Sequence, residues 1–276
     1  MRHRFSTYSV ALFCLLLSGL SQATRYTVDS TVDAVGPDGV CSLREAVQAV
    51  TTQAAVEECE AGGRSNVITL TPGGDYQLTA GELVLGDGTE TMALTIDVAR
   101  DGPFDEEVKE NAVITATSAD RVFSVLASAT LTLSNVTLAG GATAIAGDGG
   151  LVNVQGRLNT ELNTIFSGGQ ANNGGALFLS GGEAIITITA SRFTGNTATG
   201  NGGAVASDAT FDGDVGFQNV YMDGNSAGAN GGAVYMSSAP AATGRSLDFA
   251  AFNSTFYDNS AANGAAIYID APARRT

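Results

Sequence analysis

Any reaction chemistry in this chain would have to come from a few arginines and aspartates. Arg157, Arg192 and Arg245 are the candidates for a group that takes a proton from a substrate; Asp208, Asp212, Asp214 and Asp223 are the candidates for metal or acid work. Elimination on an acidic polysaccharide needs such a base, with calcium held by carboxylates. Hydrolysis of a glycoside needs two carboxylates gathered on one face. Two features argue against both. Arg192 occupies a place filled by Ile165, Tyr221 and Thr255 in segments of like sequence, which reads as an outward surface position. Asp208, Asp212 and Asp214 lie in a glycine-containing bend, where aspartate is favoured for local hydrogen bonding. They could hold calcium weakly. No other cofactor and no metal site is implied, and no catalytic residue is assigned.

The elements that must position these residues repeat. Four segments read Asn163-Thr-Ile-Phe166, Ala190-Ser-Arg-Phe193, Asn219-Val-Tyr-Met222 and Asn253-Ser-Thr-Phe256, advancing by 27, 29 and 34 residues. Three residues past the large apolar side chain come Asn196, Asn225 and Asn259 in the last three. A small-residue step follows: Gly174-Gly175-Ala, Gly202-Gly203-Ala, Gly231-Gly232-Ala and Gly264-Ala-Ala. Asn135-Val-Thr-Leu138 reads as a degenerate earlier copy, with Gly141 at the asparagine position.

A period near 28 residues signals a solenoid, because one repeat cannot bury its apolar face alone. Short runs rich in Val, Ile, Thr and Phe, punctuated by Gly and Asn, exclude helical repeats. The expectation is an all-β fold, a right-handed parallel β-helix with an N-terminal capping α-helix. Phe166, Phe193, Met222 and Phe256 would stack inside it, and Asn196, Asn225 and Asn259 would form an amide ladder along the axis.

These residues also carry a resemblance. Phe193 to Asn196 with Gly202 to Val205, and Met222 to Asn225 with Gly231 to Val234, resemble the FxxN and GGA[ILV] repeat of the bacterial polymorphic outer membrane proteins. Cys41-Ser-Leu-Arg-Glu-Ala46 resembles the signature of the bacterial CSLREA domain, which commonly precedes right-handed β-helices. Gly169 for Asn, Met222 for Phe and Gly264-Ala-Ala depart from the repeat. The resemblance implies adhesion or cell-envelope display, toward a host-cell, envelope or glycan surface ligand. Right-handed β-helices also serve as pectate lyases, which keeps a carbohydrate-active enzyme as the alternative; fold alone does not choose.

The N-terminus reads as an export signal over residues 1–23: Arg2 and Arg4, the apolar run Val10 to Leu17, then Ser21-Gln-Ala23. That run, with Cys14 inside it, is too short to span a bilayer as a helix, and no later stretch could. Cleavage would remove His3, the only histidine. The location expected is secreted, cell-surface or outer-membrane in a bacterium. Net charge is −15 and Lys109 is the only lysine, so nucleic acid is excluded as a partner on electrostatic grounds.

Cys41 and Cys59 then remain. In an oxidising compartment an even pair invites a disulfide, with buried free thiols or a metal site as the other readings. Between them Ser42 and Glu45 make an S-x-x-E capping box, and Leu43, Ala46, Val47 and Val50 form one apolar stripe. Residues 41–55 are expected to cover the first rung, with Arg44 and Glu45 in capping and surface pairing rather than catalysis. The organisation expected is residues 24–65 as cap, 66–134 as irregular early coils with an acidic loop at 101–110, 135–270 as the repeats, and 271–276 as a tail. Seven or eight rungs follow, on the order of 35 Å of rod. The last rung is left to be covered by a partner, to belong to a truncated relative, or to fray.

Overall fold

The computed structural model describes residues 23–28, 30–99, 110–117, 119–140, 147–181, 185–237 and 248–270. The expected signal (save Ala23), most of the acidic loop with Lys109, Gly141, Arg245 and the tail lie outside the described residues.

Three long parallel sheets form the faces of the molecule, and the chain visits them in a fixed order. The first face holds eight strands: Thr24–Val28, Ser65–Leu70, Met92–Val98, Ala129–Leu133, Arg157–Thr160, Ile185–Thr189, Asp214–Gln218 and Asp248–Phe252. The second holds seven, from Asp75–Leu78 through Thr164–Ser167, Ser191–Thr194 and Tyr221–Asp223 to Thr255–Tyr257. The third also holds seven, from Leu83–Leu85 through Leu177–Leu179, Val205–Ser207 and Val234–Ser237 to Ile267–Asp270. A short ribbon of Gln170–Ala171, Thr197–Ala198 and Ser226–Ala227 joins the second face to the third. Every pairing between named strands is parallel and links one winding to the next. That is a parallel β-helix.

Most strands alternate because one face of the sheet meets the core and the other meets water; Phe123–Val125, Leu177–Leu179 and Val205–Ser207 of the third face are buried throughout. Met92–Val98 buries Met92, Leu94, Ile96 and Val98 and turns Ala93, Thr95 and Asp97 outward. Parallel sheets covered on both faces would instead read as continuous apolar runs. Register keeps like residues together: Leu138, Phe166, Phe193, Met222 and Phe256 are paired in sequence across the second face.

Thr24–Val28 is already the first strand of the eight-stranded face, pairing with Asn66 to Leu70. In this first winding a helix, Leu43–Thr52, stands where strands of the second and third faces would be. It buries Leu43, Ala46, Val47, Ala49 and Val50 and packs on Leu83–Leu85 and on the first strands of the long face. Cap and solenoid therefore share one core.

Candidate functional site: ladders, corners and outer faces

The interior ladder is built from backbone and side chain together. Asn196 and Asn225 are fully buried. Asn225 Oδ1 accepts from Asn196 N at 3.0 Å and from Asn196 Nδ2 at 2.9 Å; Asn259 Oδ1 accepts from Asn225 N and Nδ2 at the same distances. The second proton of each Nδ2 crosses to the strand before: Asn196 donates to Phe166 O, Asn225 to Phe193 O and Asn259 to Met222 O. At the other end Gly169 N donates to Asn196 Oδ1, so the glycine that breaks the motif terminates the ladder. Beside it Phe166 and Phe193 stack with centroids 4.5 Å apart.

The Gly-Gly step has two separate causes. The first glycine takes a left-handed φ, +60° at Gly174, +63° at Gly202, +67° at Gly231 and +61° at Gly264. At the second, a Cβ would meet the carbonyl of the next winding: Gly175 at 2.2 Å from Gly203 O, Gly203 at 2.1 Å from Gly232 O, and Gly232 at 2.0 Å from Ala265 O.

Two further columns recur. One is the bend into the second face, where Asn135, Asn163, Ala190, Asn219 and Asn253 all have φ between 45° and 56°. Asparagine tolerates this conformation, so its recurrence ahead of each strand was the available signal. The other is Asn173, Asn201, Asn230 and Asn263, each directly before the first glycine. They link by Asn173 Oδ1 to Asn201 N, Asn230 Nδ2 to Asn201 Oδ1, and Asn263 Nδ2 to Asn230 Oδ1. The Asn-Gly dipeptide was legible; what it bonded to was not.

At the cap every residue of Cys41–Ala46 has a structural role. Cys41 is bonded to Cys59 across 18 residues, with Cα atoms 5.1 Å apart. Ser42 Oγ accepts from Glu45 N and donates to Ala34 O. Glu45 accepts from Ser42 N and Gly36 N, closing the box. Leu43 and Ala46 are core. Arg44 gives Nε and Nη2 to the Asp33 carboxylate and also bonds the carbonyls of Gly81 and Glu82. Surface pairing is thus corrected: Arg44 and Glu45 are buried, because the helix lies against the rod rather than beside it. Burial works to raise the Asp33 carboxyl. The hydrogen bonds from Arg44 and from the Ala80 and Thr79 amides outweigh it and hold Asp33 below the usual aspartate range.

Among the described residues, the groups weighed for chemistry do not gather at one place: Arg192 and Asp223 meet on the second face, away from Arg157 and Asp214 on the first. Arg157 is exposed on the first face and Arg192 on the second. Arg192 gives Nε and Nη2 to Asp223 at 2.9 and 2.8 Å and lies 5.2 Å from the Tyr221 ring centroid. The hydrogen bonds with Asp223 raise the arginine and lower the aspartate from their ordinary values. Asp208 Oδ1 accepts from Thr210 N, Thr210 Oγ1 and Phe211 N, an aspartate turn. Asp214 is exposed on the first face. Among the described residues no three His, Cys, Asp or Glu side chains group as metal ligands. None of the described helices is long and apolar enough to cross a membrane.

Three windings match a known family model. The Chlamydia polymorphic membrane protein (Chlamydia_PMP) repeat matches residues 190–208, 219–237 and 253–270. Each match begins at the left-handed bend residue or its immediate surroundings and runs through the Gly-Ala step into the third face. No curated protein and no solved structure matches this chain. The repeat suggests a bacterial surface or outer-membrane protein.

Proposed function

We propose that this chain is an exported, non-enzymatic rod of the bacterial surface or extracellular space whose outer faces bind a host-cell, envelope or glycan ligand. Residues 1–23 direct its export, and Cys41–Ala46 opens a CSLREA-type cap. The observation that carries the reading is the commitment of Arg192. A guanidinium that acts as base must lose a proton, yet Asp223 stabilises its charged form and Tyr221 faces it. The same contacts hold Arg192 as an ordered feature of the second face. Tyr221 and Tyr257 are exposed on that face, and Arg and Tyr are the side chains that dominate binding hot spots.

The test sets binding against turnover. Purified protein is incubated with polygalacturonate and alginate, each with calcium, and unsaturated products are followed by absorbance. In parallel, binding to immobilised glycans and to cells is titrated. Saturable attachment without product is expected, weakened by Arg192→Ala together with Tyr221→Ala. Product formation lost in Arg192→Ala would establish the enzyme reading instead.

A further inference from the structure

Asn-Gly occurs four times, always at the corner leading to the third face: Asn173-Gly174, Asn201-Gly202, Asn230-Gly231 and Asn263-Gly264. Such a step holds a nucleophile and an electrophile side by side. The glycine amide nitrogen can reach the asparagine Cγ, and no Cβ hinders it. In sequence, and in the left-handed φ of the glycine, the four steps are alike.

Their hydrogen bonding separates them. Gly174 N donates to Asn201 O, Gly202 N to Asn230 O and Gly231 N to Asn263 O, each at 2.9 Å. Gly264 N has no acceptor among the described residues. The side-chain oxygens divide the same way. Asn173, Asn201 and Asn230 each accept at Oδ1 from the next winding, while nothing described donates to Asn263 Oδ1. Gly174, Gly202 and Gly231 are buried, whereas Asn263 and Gly264 are both exposed.

We propose that Asn263 is a site of spontaneous covalent modification and that stacking protects its three sister steps. Gly264 N attacks Asn263 Cγ and gives up its proton to water. The Cγ–Nδ2 bond breaks and ammonia leaves, closing a five-membered succinimide. Water then opens the ring at either carbonyl, leaving aspartate or isoaspartate. One water is consumed, one ammonia is released, and nothing is oxidised or reduced. At the inner steps the same attack first requires a winding to open, because the nitrogen is held by the neighbouring carbonyl. The modification removes the Nδ2 donor to Asn230 Oδ1 and places a carboxylate against that oxygen. The iso form also adds a backbone carbon just ahead of Ile267–Asp270, the strand that completes the third face.

The test is ageing of the purified protein in mildly alkaline buffer made with heavy-oxygen water, followed by digestion and mass mapping of each step. In the folded protein Asn263 is expected to gain label at least about tenfold faster than Asn173, Asn201 or Asn230, the difference reporting the opening of a winding. In concentrated urea all four are expected to label at similar rates. Asn263→Gln is expected to remove the fast phase and leave the urea midpoint unchanged. Equal labelling of all four steps in the folded protein would overturn the proposal. So would an Asn263 that stays unlabelled when folded but labels freely in urea.

Discussion

Asn225 Oδ1 takes two hydrogen bonds from one residue of the previous winding, Asn196 N and Asn196 Nδ2, in a place no water reaches. Replacing Asn225 by Ala removes that double acceptor and leaves two buried donors of Asn196 unpaired. It also frees Phe193 O. The expected loss is about 1–3 kcal/mol, read as a lowered urea midpoint with an unchanged slope. Asn172→Ala, at an exposed position without a left-handed φ, tests the same residue type outside the ladder and is expected to lose less.

The second glycine of each step is expected to refuse a side chain for steric rather than conformational reasons. Gly203→Ala would drive a Cβ onto Gly232 O at 2.1 Å, at a cost of about 1–3 kcal/mol or more from overpacking. Gly216 lies in a strand with its outward side open; the nearest atom to an added Cβ is 4.0 Å away. Gly216→Thr is therefore expected to stabilise, by up to about 1 kcal/mol. Thermal melts of the two variants should move in opposite directions.

Ala190 is the one bend residue in its column that is not asparagine, and it is held at φ 45°. An alanine in the left-handed region carries a penalty of roughly 1–2 kcal/mol, which asparagine partly relieves. Ala190→Asn should raise the melting temperature; a decrease would mean that an asparagine side chain clashes at this bend.

The cap is expected to be acid-sensitive through Asp33. Its carboxyl is depressed in the folded state, so its contribution is fully present above the unfolded pKa and is lost as pH falls through the lower, folded value. Hydrogen exchange of Leu43–Thr52 should accelerate there before exchange of Ile185–Thr189 does. Arg44→Ala leaves Asp33 without its ion partner and is expected to destabilise by about 3–5 kcal/mol at neutral pH. Cys41→Ser should loosen the same region first, seen as early proteolysis near residue 60 while the later windings resist. Simultaneous loss of cap and rod would show instead that their shared core unfolds as one unit.

Tyr26 carries a linked prediction. Burial first, then the charge of Glu60, pushes its phenol up to about 12. An ultraviolet titration of the folded protein should show a high-pH phase, after exposed phenols have ionised, that Tyr26→Phe removes. If every tyrosine ionised together near the ordinary value, Tyr26 would be solvated.

Much of this architecture was legible because it is periodic. The recurrence of Phe166, Phe193, Met222 and Phe256, with an asparagine three residues on, determines a stacked parallel solenoid: only stacking buries those side chains and satisfies those amides. The S-x-x-E pattern between two cysteines likewise determines a capped helix. Tertiary structure alone decided what the repeat leaves open. Whether Arg192 is a lone base or half of a pair depends on Asp223, 31 residues away in sequence and one winding away in space. Whether a glycine is required for its φ or for room depends on a carbonyl of the next winding. Whether an Asn-Gly step is protected depends on what lies above it. A sequence lists what one winding contains, and the energies of this fold arise between windings.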